Sequence, residues 1–203
     1  MDNKNYSVFF RSFEEDDAKL IHKWKNDFEM FEMTLGMNRK LSLKEVQEWV
    51  AEKMKHHHFE VHWAICLNDE SQKMIGYTYL SNIHFISRSV EGGGLIIGDK
   101  ENRDGITLFE TQLLKLDYCF NTLNLNRYTG RCFSNHKTSN DMLLALNFKE
   151  EGVLRQADYK NGKYYDVKLY SILRDEYFAN INNGNYEMAK IIKRFRALTK
   201  AKR

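Results

Sequence analysis

The segment ENRDG contains the residue types that most directly suggest chemistry. It separates a short apolar run ending at Gly98 from a helical pattern that begins at Ile106. The first backbone N–H groups of a helix have no partner within it and lie at the positive end of the helix dipole, so such a turn can bind an anion. Arg103 adds a guanidinium that can pair with phosphate, and Gly105 lets a ligand approach the backbone. A polar surface turn with a left-handed glycine explains the same residues equally well.

Two residues that precede this turn in the sequence, His84 and Glu91, are candidates for proton transfer. His84 lies at the end of one strand-like segment, and Glu91 lies near the start of the next. A carboxylate that acts through water, or a neutral imidazole, can remove the proton from an attacking group. An ordinary surface charge and a hydrogen-bonded histidine are the structural alternatives for these two side chains.

Several classes of function are disfavoured. The turn matches neither GxxxxGK[ST] nor GxGxxG, which argues against a P-loop NTPase and a Rossmann dehydrogenase. No apolar run is long enough for a membrane span, and the N-terminus has no basic-then-apolar leader pattern. The three cysteines are scattered and form no CxxC pair, which favours a reducing, cytoplasmic location. We expect no metal ion at His56, His57 and His58, because consecutive side chains point apart on a helix.

Hydrophobic periodicity predicts the elements that position these residues. After the turn, apolar residues recur at spacings of 3 and 4 and form one helix face, which consists of Ile106, Phe109, Leu113, Leu116 and Phe120. Short aromatic and β-branched runs predict strands, and the full order reads β α α β β β α β α β β followed by a C-terminal helix. A helix between the segments 90–97 and 127–132 makes these two strands parallel neighbours in a mixed sheet.

This order of elements, together with several motifs, resembles the GNAT superfamily of acetyl-CoA-dependent N-acetyltransferases. The similarity extends over 6–176 and is strongest over 95–173, in LDYCFNTLNLNR, SNHKTSND, LNFKEEGVLR and NGKYYDVKLYSIL. The branch that the chain resembles holds ribosomal-protein alanine, spermidine and flagellar amino-sugar acetyltransferases, and HKWKNDFEM at 22–30 is similar to the amino-sugar group. The resemblance implies a GNAT-like α+β fold, with a mixed, mostly antiparallel sheet, a central splayed parallel pair, flanking helices and a C-terminal helix.

The resemblance also implies that acetyl-CoA binds at the ENRDG turn. In that family the turn before the long helix holds the pyrophosphate of coenzyme A through backbone amides. Here this role falls on Arg103, Asp104, Gly105, Ile106 and Thr107. The family pattern Q/R-x-x-G-x-G/A has two glycines, whereas this turn has one, and its aspartate places negative charge beside phosphate.

Two further contacts with the cofactor are implied. Asn135 matches an asparagine that helps hold the pantetheine arm, with a helix N-cap as the alternative role. The backbone amides of Ile96 and Ile97 are implied to bind the acetyl carbonyl, whose oxygen becomes negative during transfer and is stabilised by a preorganised donor.

The usual general acid of the family is missing from this chain. Relatives carry a tyrosine in L-Y-E-x-x-G-F, and the corresponding text MLLALNF has Leu143 at that position. A free thiol has a pKa of about 8.5, so coenzyme A can leave as a thiolate without an acid. For the base, Glu91 lies close to where relatives often carry a glutamate, and His84 is the second candidate.

The segment 26–40 joins the first two predicted helices and sets acceptor specificity in such folds. Asn26, Asp27, Met30 and Met33 are its candidate substrate-binding residues, and plain core packing is equally compatible with the methionines. We expect a small primary amine as substrate, with an aminodeoxy-sugar nucleotide first, a protein N-terminus second and a polyamine third. A non-catalytic acyl-CoA-binding regulatory module is the competing hypothesis.

The C-terminal segment is strongly basic. Residues 186–203 carry seven Lys or Arg residues and one acidic residue. We divide the chain into an acetyltransferase domain at 1–178 and a basic amphipathic helical extension at 179–203. The extension packs on the domain or on a second subunit in a homodimer, lies on a membrane surface, or contacts nucleic acid. We favour the packed helix and expect no nucleic-acid partner.

Overall fold

The computed structural model describes residues 6–32, 34–36, 39–55 and 58–201. The strands are β1 (Val8–Arg11), β2 (Val61–Leu67), β3 (Met74–His84), β4 (Ser89–Ile97), β5 (Arg127–Phe133), β6 (Lys149–Lys160) and β7 (Lys163–Leu173). The helices are α1 (Asp17–Lys25), α2 (Phe28–Phe31), α3 (Leu43–Lys53), α4 (Ile106–Asp117), α5 (Lys137–Ala145), α6 (Arg174–Asn182) and α7 (Met188–Ala201). A short 3₁₀ turn lies between β4 and α4, and α4 continues into a π-helical turn.

The strands form one seven-stranded sheet in the order β1-β2-β3-β4-β5-β7-β6. Only β4 and β5 pair in parallel within the described residues, and the other neighbours are antiparallel. The predicted α+β fold with a central parallel pair is therefore confirmed. Two helices were not predicted: α2 is a single turn, too short to give a periodic pattern, and α6 buries only Tyr177 and Asn180.

Helices cover both faces of the sheet. On one face, α1 and α3 bury Ile21, Trp24, Val46 and Val50 against Tyr77 and other residues of the sheet. On the opposite face, the predicted apolar stripe of α4 packs against β3, β4 and β5. The stripe prediction is wrong at Ile106, which is 39% exposed because it is the first residue of the helix.

The predicted C-terminal helix is confirmed as α7, and it packs on the body of the protein. Ile191 is fully buried, and the ring of Phe195 lies 5.4 Å from that of Phe109 on α4. Arg194 donates from Nε to the carbonyl of Ala145 at the end of α5, at 2.7 Å. Within the described ranges, no helix is long and apolar enough to cross a membrane.

Candidate active site

The parallel strands β4 and β5 separate in the middle of the sheet. Their pairing runs from Ser89 opposite Arg127 to Gly92 opposite Gly130 and then stops. Both strands continue beyond this point, β4 to Ile97 and β5 to the end of its seven residues. Backbone groups that would pair in a continuous sheet therefore face a gap, which a ligand with its own donors and acceptors can occupy.

A β-bulge lies on β4 at the edge of this gap. Tyr77 of β3 is opposite Ile96, and Tyr79 is opposite Gly93, so two steps on β3 correspond to three on β4. The extra residue bends the strand and leaves backbone groups unpaired. Gly94 has φ +44°, a left-handed conformation that residues with a Cβ adopt rarely.

Aromatic rings lie directly on the triple glycine. A Cβ atom at Gly93 or Gly94 would overlap the Tyr79 ring, and one at Gly92 would overlap the Tyr128 ring. The unusual GGG sequence thus allows two tyrosines to pack on bare backbone at the point where the strands part. Protein side chains therefore approach these glycines closely from both faces of the sheet.

A buried lysine of α4 fixes the peptide at the bulge. Lys115 is 1% exposed, and its Nζ donates to the Gly93 carbonyl at 3.0 Å. Burial lowers the pKa of Lys115 to about 7, because the interior disfavours the charged form. No cis peptide bond occurs in the described residues, so the N–H of Gly94 points away from the carbonyl that Lys115 holds.

The two predicted isoleucine amides face different directions. The Gly98 N–H donates to Ile75 on β3 at 2.8 Å, and antiparallel pairing alternates between groups that face the neighbouring strand and groups that face away. The amide of Ile96 therefore faces β3, whereas that of Ile97 faces the gap. In agreement, the Ile97 carbonyl accepts a hydrogen bond from Arg103 Nε at 2.8 Å.

The N-terminus of α4 begins next to this gap. Gly105 precedes the helix with φ +83° and has open space where a side chain would be. The N–H of Thr107 donates to Asp104 Oδ1 at 2.9 Å, so this carboxylate occupies one free amide of the first turn. The amides of Ile106 and Leu108 have no acceptor within the described part of the chain. They can still receive an anion, with the exposed Arg103 guanidinium beside them.

Asn135 lies in the turn between β5 and α5, and its side chain is exposed. The cap of α5 is the next residue, His136, whose Nδ1 accepts from the Ser139 N–H at 3.5 Å. The alternative role of Asn135 as a helix cap is therefore taken by its neighbour.

The two candidate bases lie at different distances from the bulge. Glu91 is two residues before Gly93 on the same face of β4, and its carboxylate is held by Arg131 Nε at 2.7 Å and by Asn82 at 3.2 Å. His84 is the last residue of β3 and lies opposite Ser89, the first residue of β4, and its Nδ1 accepts hydrogen bonds from the N–H and hydroxyl of Ser87. Glu91 is thus near the gap, and His84 closes the β3–β4 turn.

The predicted substrate-binding residues occupy the segment that links α1 to α3. Asn26 bonds with both backbone groups of Leu41, at 3.0 Å and 2.9 Å, and so fastens the two ends of the segment together. Asp27 caps α2 by accepting from the Met30 N–H at 3.2 Å. Met30 packs beside the α1–α3 core, and Met33 lies outside the described residues.

The β6–β7 hairpin holds this segment over the end of β5. Lys160 Nζ donates to the carbonyls of Phe31, at 2.8 Å, and of Thr34, and it lies 5.3 Å from the ring centre of Phe133. The Gly36 N–H donates to an oxygen of Asp158 at 2.9 Å. Since Phe133 is the last residue of β5, these contacts place the described part of the linking segment near the end of β5.

No group of three or more potential metal ligands is found among the described residues. His56 and His57 of the histidine run lie outside them.

Sequence reasoning missed three residues at the gap: Lys115, His62 and Tyr79. His62 stacks on Tyr79 with ring centres 5.1 Å apart, and its Nε2 lies 3.1 Å from Glu60. Burial lowers the pKa of His62, which favours the neutral imidazole. Lys115 could have been noticed, because helical spacing from Gln112 and Cys119 places it on a buried face. The position of His62 depends on strand register, which the sequence pattern did not supply.

A sheet opened between two parallel strands, with a helix N-terminus and a bulge at the opening, can bind an anionic ligand and agrees with the acetyltransferase fold that the resemblance implies. Comparison with known proteins supports this assignment. A model of the acetyltransferase (GNAT) domain matches residues 7–149, and the chain therefore belongs to the GNAT acetyltransferase family.

Individual relatives support the assignment. Spermidine N(1)-acetyltransferase of Vibrio cholerae is 28% identical over 176 residues, which cover 85% of this chain and 96% of that protein. The uncharacterized N-acetyltransferase YoaA of Bacillus subtilis is 34% identical over 118 residues, 56% of this chain and 63% of that protein. The solved Vibrio cholerae spermidine N-acetyltransferase in complex with CoA and spermine has a TM-score of 0.76 at 26% identity, covering 86% of this chain and 99% of that one.

Family membership identifies the acyl carrier as acetyl-CoA, and the residues present fit it. The exposed guanidinium of Arg103 and the free amides of α4 suit a pyrophosphate, whereas the gap offers the inward amide of Ile97. Asp104 is an unfavourable charge for this ligand, and its carboxylate already accepts a hydrogen bond from the Thr107 N–H.

Proposed function

We propose that this protein transfers the acetyl group of acetyl-CoA directly to a primary amine. The observation that carries the proposal is the separation of β4 and β5 after Gly92 and Gly130, next to an α4 N-terminus with unoccupied amides. When bound, acetyl-CoA supplies an acetyl thioester whose thiol has an ordinary pKa of about 8.5 and can leave as a thiolate. This property offsets the absence of the family's tyrosine at Leu143, which is buried against Gly130.

Backbone amides at the gap would hold the acetyl carbonyl. Ile96 and Ile97 were predicted for this role, and the inward direction of the Ile97 N–H favours the second of them. The N–H of Gly94 is a further candidate donor, because it belongs to the peptide whose carbonyl accepts the hydrogen bond from Lys115. A backbone N–H that is held in place before the reaction stabilises the negative charge on the carbonyl oxygen, typically by a few kcal/mol.

Direct transfer is supported by the state of the cysteines. Cys66, Cys119 and Cys132 are buried, and burial raises the pKa of each thiol, to about 12 for Cys119 and Cys132. A buried thiol with a raised pKa is a poor nucleophile, which disfavours an acetyl-enzyme intermediate. Free cysteines also accord with a reducing, cytoplasmic location.

Glu91 is our first candidate for accepting the proton of the attacking amine. It lies on the same face as Gly93 and Tyr79, and Arg131 and Asn82 hold its carboxylate in place. A carboxylate in this position can act through a water molecule. His84 is the second candidate, although its Nδ1 is engaged by Ser87.

The acceptor is proposed to be an aminodeoxy-sugar nucleotide. The Lys25-Asn26-Asp27 sequence is similar to that of the amino-sugar group, and both side chains after the lysine shape the linking segment. A polyamine is the second candidate, because the related Vibrio cholerae enzyme is a spermidine acetyltransferase. A protein N-terminus is the third.

The proposal is tested by following free thiol release from acetyl-CoA with a panel of amines, alongside calorimetric titration with acetyl-CoA and coenzyme A. We expect binding of both and turnover with at least one class of amine. Binding without turnover on any amine would support the non-catalytic acyl-CoA-binding module instead. Absence of binding would contradict both the acetyltransferase and the acyl-CoA-binding module, and the ENRDG turn would then be a polar surface turn only.

A further inference from the structure

A cluster of cations lies on the acceptor side of the sheet. Lys25 ends α1, and its Nζ lies 3.6 Å from the centre of the Trp49 ring. Burial, followed by the charges of Arg39 and Lys53, lowers the pKa of Lys25 to about 8. Neither Lys25 nor Arg39 has a carboxylate within ion-pair distance in the part of the chain that the structure describes.

These cations line a cleft of about 280 Å³ whose other walls are apolar. The cleft is bounded by Lys25, Phe31, Arg39, Leu41, Val46 and Trp49, with Glu45 at its edge. The Glu45 carboxylate caps α3 by accepting from the Ser42 N–H at 2.7 Å and the Ser42 hydroxyl at 2.9 Å. These two hydrogen bonds, and to a smaller extent the charge of Arg39, lower the pKa of Glu45. With two cations and this one carboxylate among its lining residues, the cleft keeps a positive charge excess.

A row of rings connects this cleft to the bulge. The Trp49 ring packs edge-on to His62 at 5.6 Å, and His62 stacks on Tyr79 at 5.1 Å. Tyr79 in turn lies on the bare backbone of Gly93 and Gly94. The cleft between Lys25 and Arg39 is therefore linked to the proposed site of acetyl transfer by a row of contacting rings, of which Trp49 and Tyr79 are partly exposed and His62 is buried.

We propose that Lys25, Arg39 and Trp49 form a subsite for an oxyanion, a phosphate or carboxylate, carried by the acceptor amine. This inference rests on the proposed function and specifies the acceptor class. Arginine forms paired hydrogen bonds with phosphate or carboxylate, and the tryptophan face supports the planar or apolar part of the molecule. The same cations repel a polyamine, so the cleft selects by repulsion as well as by attraction.

The test compares three acceptors that share an amine and differ in charge. They are a UDP-linked amino-deoxy sugar, the corresponding amino sugar as a methyl glycoside, and spermidine, with an amino-sugar carboxylate as a fourth arm that separates carboxylate from phosphate. We expect kcat/KM for the anionic acceptors to exceed that for the glycoside and spermidine by at least tenfold. Equal values for all acceptors, or a preference for spermidine, would overturn the subsite.

Substitutions of Arg39 and Lys25 test whether these side chains bind the oxyanion of the acceptor. Arg39→Gln and Lys25→Met should each raise KM for the anionic acceptor by about tenfold or more and leave KM for the methyl glycoside within twofold. Lys23→Gln is the matched control, since it removes the same charge from the exposed side of α1. Loss of thiol release with every amine, with folding intact by thermal denaturation, would mean that the proposed function has failed. Equal use of neutral and anionic sugars would overturn this inference alone.

Discussion

Lys115 is placed where a helix normally carries an apolar residue. It is fully enclosed, and its one hydrogen bond within the described chain is to the carbonyl of Gly93 at the bulge. A buried ammonium without a carboxylate partner destabilises the folded protein. Its retention at this position fits a role in orienting the Gly93–Gly94 peptide, because an apolar residue would be the more stable choice.

The substitution Lys115→Met should stabilise the protein and impair catalysis. In the unfolded chain lysine titrates near pH 10.4, whereas the folded pKa is about 7. Between these values the unfolded state binds more protons, so wild-type stability rises with pH relative to Lys115→Met, by about 1 kcal/mol per unit from pH 7 to pH 9. The destabilisation by Lys115 is fully present below the folded pKa and disappears toward pH 10.4.

Denaturant unfolding at several pH values measures this difference. Steady-state kinetics should show kcat reduced by roughly tenfold, less than for removal of a donor, because the Gly94 N–H remains and only its orientation is lost. Lys19→Met, at an exposed position of α1, is the control and should show no pH-dependent difference. A constant stability difference between wild type and Lys115→Met across this pH range would contradict the buried-ammonium interpretation.

Arg103 is the cation that we expect to hold the pyrophosphate. Arg103→Ala should weaken acetyl-CoA and coenzyme A binding equally, by about 1–3 kcal/mol, because both ligands share the phosphates and the contact is charge-assisted. Calorimetric titration measures both affinities. Lys100→Ala is a matched control in the same loop, since Lys100 is exposed and lies 3.7 Å from Glu29. Equal weakening by the two variants would show that only general positive charge matters.

At the residue scale, the sequence predicted the positions of charged groups better than the directions of their hydrogen bonds. It predicted that Arg103 lies beside the first backbone amides of α4, because helix termini have fixed chemistry. It did not indicate that Arg103 also donates to Ile97, or that Asp104 occupies the Thr107 amide. These contacts depend on loop geometry, which residue types do not specify.

At the scale of elements, the β4 bulge depends on glycine for two separable reasons. Gly94→Ala combines a left-handed φ with overlap of the Tyr79 ring and should lower the free energy of unfolding by about 3 kcal/mol. Gly105→Ala has the left-handed φ alone and should cost about 1 kcal/mol. Gly152→Ala has neither problem and should be nearly neutral.

Thermal or denaturant unfolding of the three variants measures this order. Adding Tyr79→Ala to Gly94→Ala should relieve the overlap and leave the backbone strain, so the double variant should lose less than the sum of the two single effects. Additive losses would show that the ring does not enforce glycine at this position.

Most strands and the long helices were predictable, because alternation and the 3.6-residue period persist over many residues. The Asn161-Gly162 pair is typical of a tight hairpin turn, and both residues have positive φ between β6 and β7. Successive glycines within a strand are typical of a bulge. The register of the bulge was not predictable, because one extra residue shifts every later pair and no local pattern records that shift.

At the scale of the whole molecule, the helix between the segments 90–97 and 127–132 made the parallel pair predictable. That this pair separates was implied by the resemblance to the GNAT family, not by the topology. The attachment of the linking segment to the β6–β7 hairpin was not predictable. It is made by Lys160 and Asp158, which are more than 120 residues away in sequence. Long-range contacts of this kind depend on the assembled sheet.

Contacts between distant elements also show whether α7 is an appendage or part of the domain. The family model ends at residue 149, and the sequence suggested a separate extension at 179–203. In the structure, α7 contacts both α4, through Phe195 and Phe109, and the end of α5, through Arg194. A helix that completes the packing of two core helices should unfold together with them.

Ile191→Ala tests this cooperativity. Ile191 is fully buried, so its truncation should lower the free energy of unfolding by about 3 kcal/mol in a single transition. Lys193→Gln, exposed on the same helix, should change it by less than about 0.5 kcal/mol. Unfolding is followed in parallel by helix content and by fluorescence of the three tryptophans, Trp24, Trp49 and Trp63, none of which lies on α7. If α7 were independent, helix content would fall in an early, separate step while the tryptophan transition kept its midpoint. A common shift of both signals would place α7 inside the cooperative unit, because the helix then contributes to the stability of the sheet that carries the gap.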